Sequence, residues 1–452
     1  MGQARPAKQP PVRPKMTVVD LSVSQRDSTQ RQAGAPVPLH VLVVHQHYWP
    51  EIAATAQILS DLCEDLAARG HRVTVICGQP SYRRDAGSEL LPKREQQRGV
   101  DIRRVWSLRP RSRAIPARLL HYGTYFASSL SEMVLSSPDV CFVMSTPPLL
   151  LGVSGTLLRA LRGVPFVYSV QDLYPDIAVD LGVLKQEGML TAAISRVAEA
   201  CYRSAAALVT LSPGMASKLR QKVLPHHAVH VIPNWADTSA VVPTARDNPF
   251  AREHNLVAPF VVQYSGNLGL SQGLESVVLA AERLQSQPIK FAFVGAGNAK
   301  ASLEAMVQQR ALRNCIFLPP QPRDRLSEVL SSCDLGLVPM KHKVAGDLVP
   351  SKLYGIMAAG RPVLAGVEEG SEVARVLREH DCGWVVPPED PDALASSIQA
   401  ASLLDEKELS ARGMRGRLAC TSLYSRAFLT QQYSELIEAV VRDRRATERT
   451  AP

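Results

Sequence analysis

Short apolar runs alternate with amphipathic helical stretches along almost the whole of this chain, and the alternation runs twice. HVLVVH (from His40), HRVTVICG (from His71), DVCFVM (from Asp139), PFVYSV (from Pro165), ALVTL (from Ala207) and HVIPNW (from His230) form the first series. Runs this short and this apolar read as strands buried on both faces, which is the habit of parallel sheets. Between the first two lies a helix whose Ile58, Leu59, Leu62, Cys63 and Leu66 share a face, ended by Arg69-Gly70. A strand, a helix and a strand in that order predict a parallel pair. Residues 238–258 lose the periodicity and gain proline and charge, so they read as a linker. The pattern then restarts with FVVQYSG, FAFVGAG, IFLPP, DLGLVPM, PVLAG and CGWVVPP, again with helical stretches between.

The fold class is therefore α/β, with two Rossmann-like domains facing a central cleft and ligand loops at the carboxyl ends of the strands. We expect a basic, disordered tail over residues 1–36, an N-terminal domain over 37–237, the linker over 238–258 and a C-terminal domain over 259–422. A final amphipathic helix over 423–441 (Phe428, Tyr433, Leu436, Ile437) and a tail over 442–452 complete the chain.

Charge excludes some partners. The net charge is +9, but residues 1–36 hold six Lys/Arg against two Asp, and residues 442–452 hold four Arg against two acids. The tails thus carry +4 and +2, leaving +3 for the body, and a nucleic-acid partner is not expected. The eight cysteines are scattered with no CxxC, so neither structural zinc nor disulfides are expected, which suits a reducing cytoplasm. No apolar window reaches about 18 residues, so no membrane span is predicted. Six arginines and no acid lie between Arg103 and Arg118, ahead of a largely apolar helix at 117–136. That edge is either a contact with the inner-membrane surface through residues 103–136 or a helix packed on the sheet with solvated arginines.

Candidate chemistry sits in a few loops. In AGDLVPSKLYGIMAAGRPV (Ala345–Val363), Pro350 and Ser351 precede a helix with Leu353, Ile356 and Met357 on one face and Gly360 as its C-terminal cap. The amides of Ser351, Lys352 and Leu353, with the Lys352 ammonium beside them, would suit a phosphate. One more capped αβ unit is the plainer reading. QDLYPD (Gln171–Asp176) places two acids at a strand's carboxyl end, where Asp172 could meet a substrate hydroxyl. Gly295 and Gly297 make half of a dinucleotide-binding motif without its third glycine. Asp390-Pro-Asp392 is a DxD, yet Asp390 as cap and Pro391 as first helical residue explain it, and no metal is predicted.

Six stretches, in order, resemble the family 4 retaining glycosyltransferases, and within them the WbuB-like subgroup linked to aminosugar transfer in cell-surface polysaccharide assembly. They are WPEIAATAQILSDLCEDLAARGHRVTVI, VYSVQDLYPDIAVDLGVL, VIPNWAD, YSGNLGLSQGLESVVLAAE, FVGAGNAKASLE and VPSKLYGIMAAGRPVLA. The resemblance implies the GT-B fold, an acceptor on the first domain, a nucleotide-diphosphate sugar on the second, and a last helix that crosses back. It implies a cytoplasmic enzyme needing no cofactor, which moves a hexose or N-acetylaminosugar onto a lipid-linked or other glycan acceptor, without metal.

The same resemblance assigns residues. The loop with Gly266, Asn267 and Gln272, the glycines Gly295 and Gly297, and Ser351, Lys352 and Leu353 would hold the donor. Asp347 would hold the sugar hydroxyls, and Asp172 would act near the anomeric carbon. This chain departs from the family pattern at four places. Asn267 and Gln272 stand where the family has an arginine and a lysine, Asp347 shortens its first acid, and Gly355 stands where it has a second acid. Two other readings therefore stay open: a nucleotide-sugar 2-epimerase of the same fold, and an inactive binding or scaffold homologue. Asn234 and Asp237 read as fixing the interdomain turn.

Overall fold

The computed structural model describes residues 37–51, 53–80, 90–108, 115–145, 149–180, 182–342 and 349–450. The expected tail over 1–36 and Asp347 lie outside the described residues. The first half runs β1 (His40–Val44), α1 (Ala54–Ala68), β2 (Arg72–Cys77), β3 (Arg94–Gln97), β4 (Val100–Arg104), α2 (Ile115–Leu135) and β5 (Val140–Met144). It continues with α3 (Leu150–Arg162), β6 (Phe166–Val170), α4 (Asp176–Asp180), α5 (Met189–Ser204), β7 (Ala207–Thr210), α6 (Pro213–Arg220) and β8 (Val229–Val231). The second half runs α7 (Pro249–Glu253), β9 (Phe260–Ser265), α8 (Leu274–Arg283), β10 (Ile289–Val294), α9 (Lys300–Gln309), β11 (Cys315–Leu318), α10 (Leu326–Ser331) and β12 (Leu335–Pro339). Then follow α11 (Lys352–Ala358), β13 (Val363–Gly366), α12 (Glu372–Glu379), β14 (Gly383–Val386), α13 (Pro391–Ser402), α14 (Glu406–Leu423) and α15 (Arg426–Thr450).

The strands form two sheets, ordered β3-β4-β2-β1-β5-β6-β7-β8 and β11-β10-β9-β12-β13-β14. Every paired neighbour is parallel except β3 with β4. Alternate residues of β1 serve opposite faces, as a strand must. Leu42 and Val44 join Tyr125 and Met133 of α2 and Leu151 of α3, while Val41 and Val43 join Ile58, Leu59 and Leu62 of α1. Both faces are covered, which is why β1 is a continuous apolar run. This is the two-domain GT-B architecture that the resemblance implies.

Three features depart from the sequence reading. The edge strand β3 (REQQ) has no apolar pattern to betray it and is held by pairing with β4. The stretch expected as linker contains α7, capped by Asn248, whose side chain accepts from the Ala251 amide at 3.0 Å. The final helix expected over 423–441 is α15, which begins at Arg426 and runs on through the supposed tail to Thr450, and a separate helix, α14, precedes it. The α14 helix lacks an apolar stripe because it docks through glycine. A Cβ on Gly413 would collide with the Gly360 carbonyl oxygen. The charged end of α15 is held by Arg444–Glu448 at 2.7 Å and Arg445–Asp139 at 2.9 Å.

The chain passes between the halves twice at one place. Outbound Ala236 bridges inbound Ser425, with Ala236 N–H donating to the Tyr424 carbonyl (3.1 Å) and Arg426 N–H to that of Ala236 (2.9 Å). From there α15 packs Leu429, Tyr433, Ile437 and Val441 into the core of the first half. Its first residue, Arg426, donates to Asp61 (2.8 Å), Glu64 (3.2 Å), Asp65 (2.6 Å) and Asp237 (3.4 Å). Asp237 also accepts from the amides of Ser239 and Ala240, so it fixes the turn as expected. Arg323, from the turn after β11, reaches across to Asp61 at 2.8 Å, and Trp235 Nε1–H donates to its other oxygen. Removing one partner from such a network leaves desolvated charge behind. Arg426→Met is expected to lower unfolding stability by about 3 kcal/mol, read from urea titrations at unchanged m-value.

Candidate active site

At the carboxyl edge of the second sheet the loops after β9 and β10 lie almost on one another. Gly266 N–H donates to Val294 O and Leu268 N–H to Ala296 O, both at 2.9 Å. A Cβ on Gly295 would collide with Gly266 O, and one on Gly297 with Leu268 O. These two glycines therefore let the loops approach, and the half-motif seen in the sequence is a packing requirement in this fold.

Lys352 opens α11 and sends its ammonium to those loops. Nζ donates to Tyr264 Oη at 2.7 Å and to Gln272 Oε1, and it lies 4.2 Å from the Tyr264 ring centroid. Tyr264 Oη donates in turn to the Asn267 carbonyl at 2.6 Å. Beside the lysine, Gly266 holds a φ of +144°, a backbone conformation that favours glycine, and a Cβ there would make only an ordinary 3.7 Å contact with Lys352 Cε. The structure thus brings together Gly266, Asn267, Gln272, Gly295, Gly297 and Lys352. Among the described residues no carboxylate pairs with the ammonium, and burial pushes its pKa down to about 7. A desolvated cation without a counter-charge is a site prepared for an anion.

The start of α11 corrects part of the sequence reading. Ser351 has helical dihedrals (φ −59°, ψ −21°) and its side chain makes no capping hydrogen bond. Leu353 N–H donates to Pro350 O and Tyr354 N–H to Ser351 O, both at 3.2 Å, so the first turn tightens to i→i+3 bonds. The Leu353 amide is thereby engaged and its side chain is buried, which leaves Ser351 and Lys352 as the amides of this turn with no hydrogen bond among the described residues. Gly360 ends the helix left-handed (φ +66°), as expected. At Gly355 a Cβ would meet only Leu330 Cδ1, at an ordinary 3.6 Å.

On the first sheet, Val44 pairs with Val143 and Val143 with Tyr168, so the loops after β1 and β6 leave the same edge about 10 Å apart. Ser145 Oγ accepts from the Gln171 amide at 2.9 Å and holds the turn that presents Asp172. No hydrogen bond reaches the Asp172 carboxylate from the described residues, and burial pushes it up to about 6. The other acid of QDLYPD does different work: Asp176 is paired with Lys222 at 2.7 and 2.8 Å. Asp390 caps α13, accepting from the amides of Asp392 (3.0 Å) and Ala393 (2.9 Å). Asp392 pairs with Arg283 at 2.5 Å. Among the described residues no cluster of three His, Cys, Asp or Glu is placed to hold a metal ion.

Sequence reasoning missed two features. Tyr264 was hidden as a core position of a strand, although a buried phenol usually finds a hydrogen-bond partner. The second feature is the loop between β1 and α1. In it His45 Nδ1 donates to His47 O (2.6 Å) and His47 Nδ1 to Glu51 Oε2 (2.5 Å). The signal was present as two histidines leaving a strand with an acid four residues on.

Residues 53–235 match the family model described as a glycosyl transferase 4-like domain, and residues 247–415 match that of glycosyl transferases group 1. Escherichia coli K12 has a similar protein, the putative colanic acid biosynthesis glycosyl transferase WcaI. It is 32% identical over 389 residues, which cover 83% of this chain and 95% of the relative. Among solved structures, sucrose-phosphate synthase from Thermosynechococcus elongatus superposes with a TM-score of 0.72 at 18% identity, covering 88% of this chain and 98% of that one. Anabaena Alr3699/HepE in complex with UDP-glucose gives 0.66 at 15% identity, covering 89% and 100%.

The depressed Lys352 pKa has a measurable consequence. In the folded chain this lysine releases its proton near pH 7, whereas an unfolded lysine keeps it to about 10.4. Between those values the unfolded state binds more protons, so this group makes stability rise with pH. Lys352→Met is expected to melt above the parent near about pH 6, with the gap narrowing towards about pH 10, as differential scanning calorimetry would register.

Proposed function

The chain belongs to the family 4 glycosyltransferases, and from that premise we propose that its donor is a nucleotide-diphosphate sugar bound at the Lys352 cluster. The observation that carries this reading is the ammonium held by Tyr264 and Gln272 beside Gly266, with no described carboxylate to neutralise it. UDP-glucose in the HepE structure, which shares the fold, supports a donor of that class. Cleaving the sugar–phosphate bond puts negative charge on the diphosphate. Lys352 and the amides of Ser351 and Lys352 would meet that charge and supply the stabilisation without a metal.

This placement answers the loss of the family's basic pair. Gln272 does not supply a cation itself; its oxygen receives one from α11. Asp347 would take the sugar hydroxyls. Gly355 offers no side chain to the ribose, so ribose recognition falls to the backbone. Asp172, across the cleft on the first domain, would act beside the anomeric carbon.

We further propose a lipid-linked glycan acceptor of cell-surface polysaccharide, met at the inner face of the membrane. The name of the Escherichia coli relative, with its colanic acid biosynthesis, supports the pathway class. Beside the Asp172 loop a cavity of about 600 Å³ is lined by Pro175, Val179, Gly188, Met189 and Thr191. Leu119 and Leu120 on α2, and Met189 and Leu190 on α5, are exposed. No described helix is long and apolar enough to cross a membrane.

Two measurements test this. Thermal melting against UDP- and GDP-sugars, with and without EDTA, should show one selective rise, unaffected by EDTA and lost in Lys352→Ala. At a ligand concentration of a hundred Kd the rise corresponds to about 2.7 kcal/mol; no rise with any sugar nucleotide would overturn the reading. Transfer by the parent should grow through about pH 6 as Asp172 ionises, and Asp172→Asn should lose about a hundredfold or more of kcat while still binding the donor. An unchanged acid limb in the variant would remove Asp172 from the chemistry.

A further inference from the structure

The loop between β1 and α1 is braced from several sides. His45 N–H donates to Ile76 O (3.1 Å), Gly78 N–H to Gln46 O (3.0 Å), and Glu51 N–H to Tyr48 O (3.0 Å). Arg104, whose side chain is fully buried, donates to Trp49 O at 3.2 Å. Within this frame Glu51 is buried (4% side-chain exposure) while His47 keeps 21%. The bond from His47 Nδ1–H to Glu51 fixes the tautomer, so Nε2 is the acceptor nitrogen, and it has no hydrogen-bond partner among the described residues. His45 beside it stays neutral, since burial holds it down to about 4, and offers no repulsion to a proton on His47.

The helix that this loop feeds meets the second half. Asp61 on α1 meets Arg323, which follows β11 at the carboxyl edge of the second sheet. Asp61 lies seven residues after Ala54, about 10 Å along the helix from its start. The His47 loop feeds that start, and it leaves the same sheet edge as Asp172.

We propose that His47, oriented by Glu51, binds the attacking hydroxyl of a neutral acceptor sugar through Nε2 and receives its proton during transfer. This rests on the donor reading above and adds the acceptor's chemistry: a sugar hydroxyl, which donates, rather than a phosphate oxygen, which cannot donate to Nε2 when ionised. The acceptor oxygen bonds to the anomeric carbon as the bond from that carbon to the diphosphate oxygen breaks. The electron pair leaves with the diphosphate, the hydroxyl proton goes to Nε2, and His47 then passes it to the diphosphate or to water. Glu51 steadies the imidazolium in between.

The full-length protein labelled with 15N-histidine, titrated with methyl glycosides of glucose, galactose and N-acetylglucosamine, should shift the His47 Nε2 resonance with at least one of them. No shift with any glycoside overturns the proposal. In His47→Gln, transfer to the responding glycoside should fall at least about a hundredfold, whereas the melting-temperature rise with the nucleotide sugar stays that of the parent. Transfer and donor binding falling together would assign His47 a structural or donor-side role and overturn it. Should the parent turn over no nucleotide sugar, the donor reading fails, and the resonance titration alone decides His47.

Discussion

The guanidinium of Arg426 is the interaction on which the relation between the two halves depends. It stands where the chain re-enters the first half and gathers carboxylates from α1 and from the outbound turn. Asp61 shows how closely the network is balanced. Its pKa is raised because burial outweighs the attraction of Arg426 and Arg323. Each guanidinium is thus needed to keep a buried carboxylate charged, and one of them comes from the opposite half. A hydrophobic contact in the same place would hold the halves together without fixing an angle. Directed bonds from Arg426 and Arg323 set which loops of one carboxyl edge oppose which loops of the other.

What the parallel sheets contribute is concentration of chemistry at those edges. Parallel pairing sends every β-to-α loop to one side, so residues far apart in sequence, such as Gly266, Gly295 and Lys352, meet without any local motif. The two halves then divide the electrostatics. The second half presents a cation with no counter-charge among the described residues, and the first presents Asp172 and the His47–Glu51 pair, groups that accept hydrogen bonds and protons. Anion on one side and hydroxyl donor on the other is the division a glycosyl transfer requires.

Much of this was legible in the sequence, for physical reasons that also explain what was not. Strands buried on both faces and helices with one apolar face leave periodic marks, so the alternation, the Asp390 cap and the Gly360 terminus could be read directly. The edge strand β3 pairs through its backbone alone, α14 docks through glycines, and the end of α15 is held by ion pairs; none of these leaves an apolar period. At the site, the sequence pointed to Lys352 but not to its reach. That the ammonium would land on Gln272 and Tyr264 depends on how α11 packs against β12 and β13, which is tertiary information. The Leu353 amide was misjudged because an i→i+3 first turn and a regular one have the same sequence signature.

The departures at Asn267, Gln272 and Gly355 are best understood together. A site with a basic pair on the β9 loop and an acid on α11 places opposite charges on the two elements. Here the β9 loop is neutral and α11 carries the cation, so the charge has changed sides while the loops stay neighbours. An acid at position 355 would add a carboxylate three residues from Lys352 on the same helix, within the range where side chains interact. That carboxylate would stabilise the ammonium and raise its pKa, and the anion site would be weakened by its own neighbour. Glycine at 355 leaves the lysine without a carboxylate partner among the described residues. Losing the acid and relying on Lys352 are then one arrangement rather than two defects.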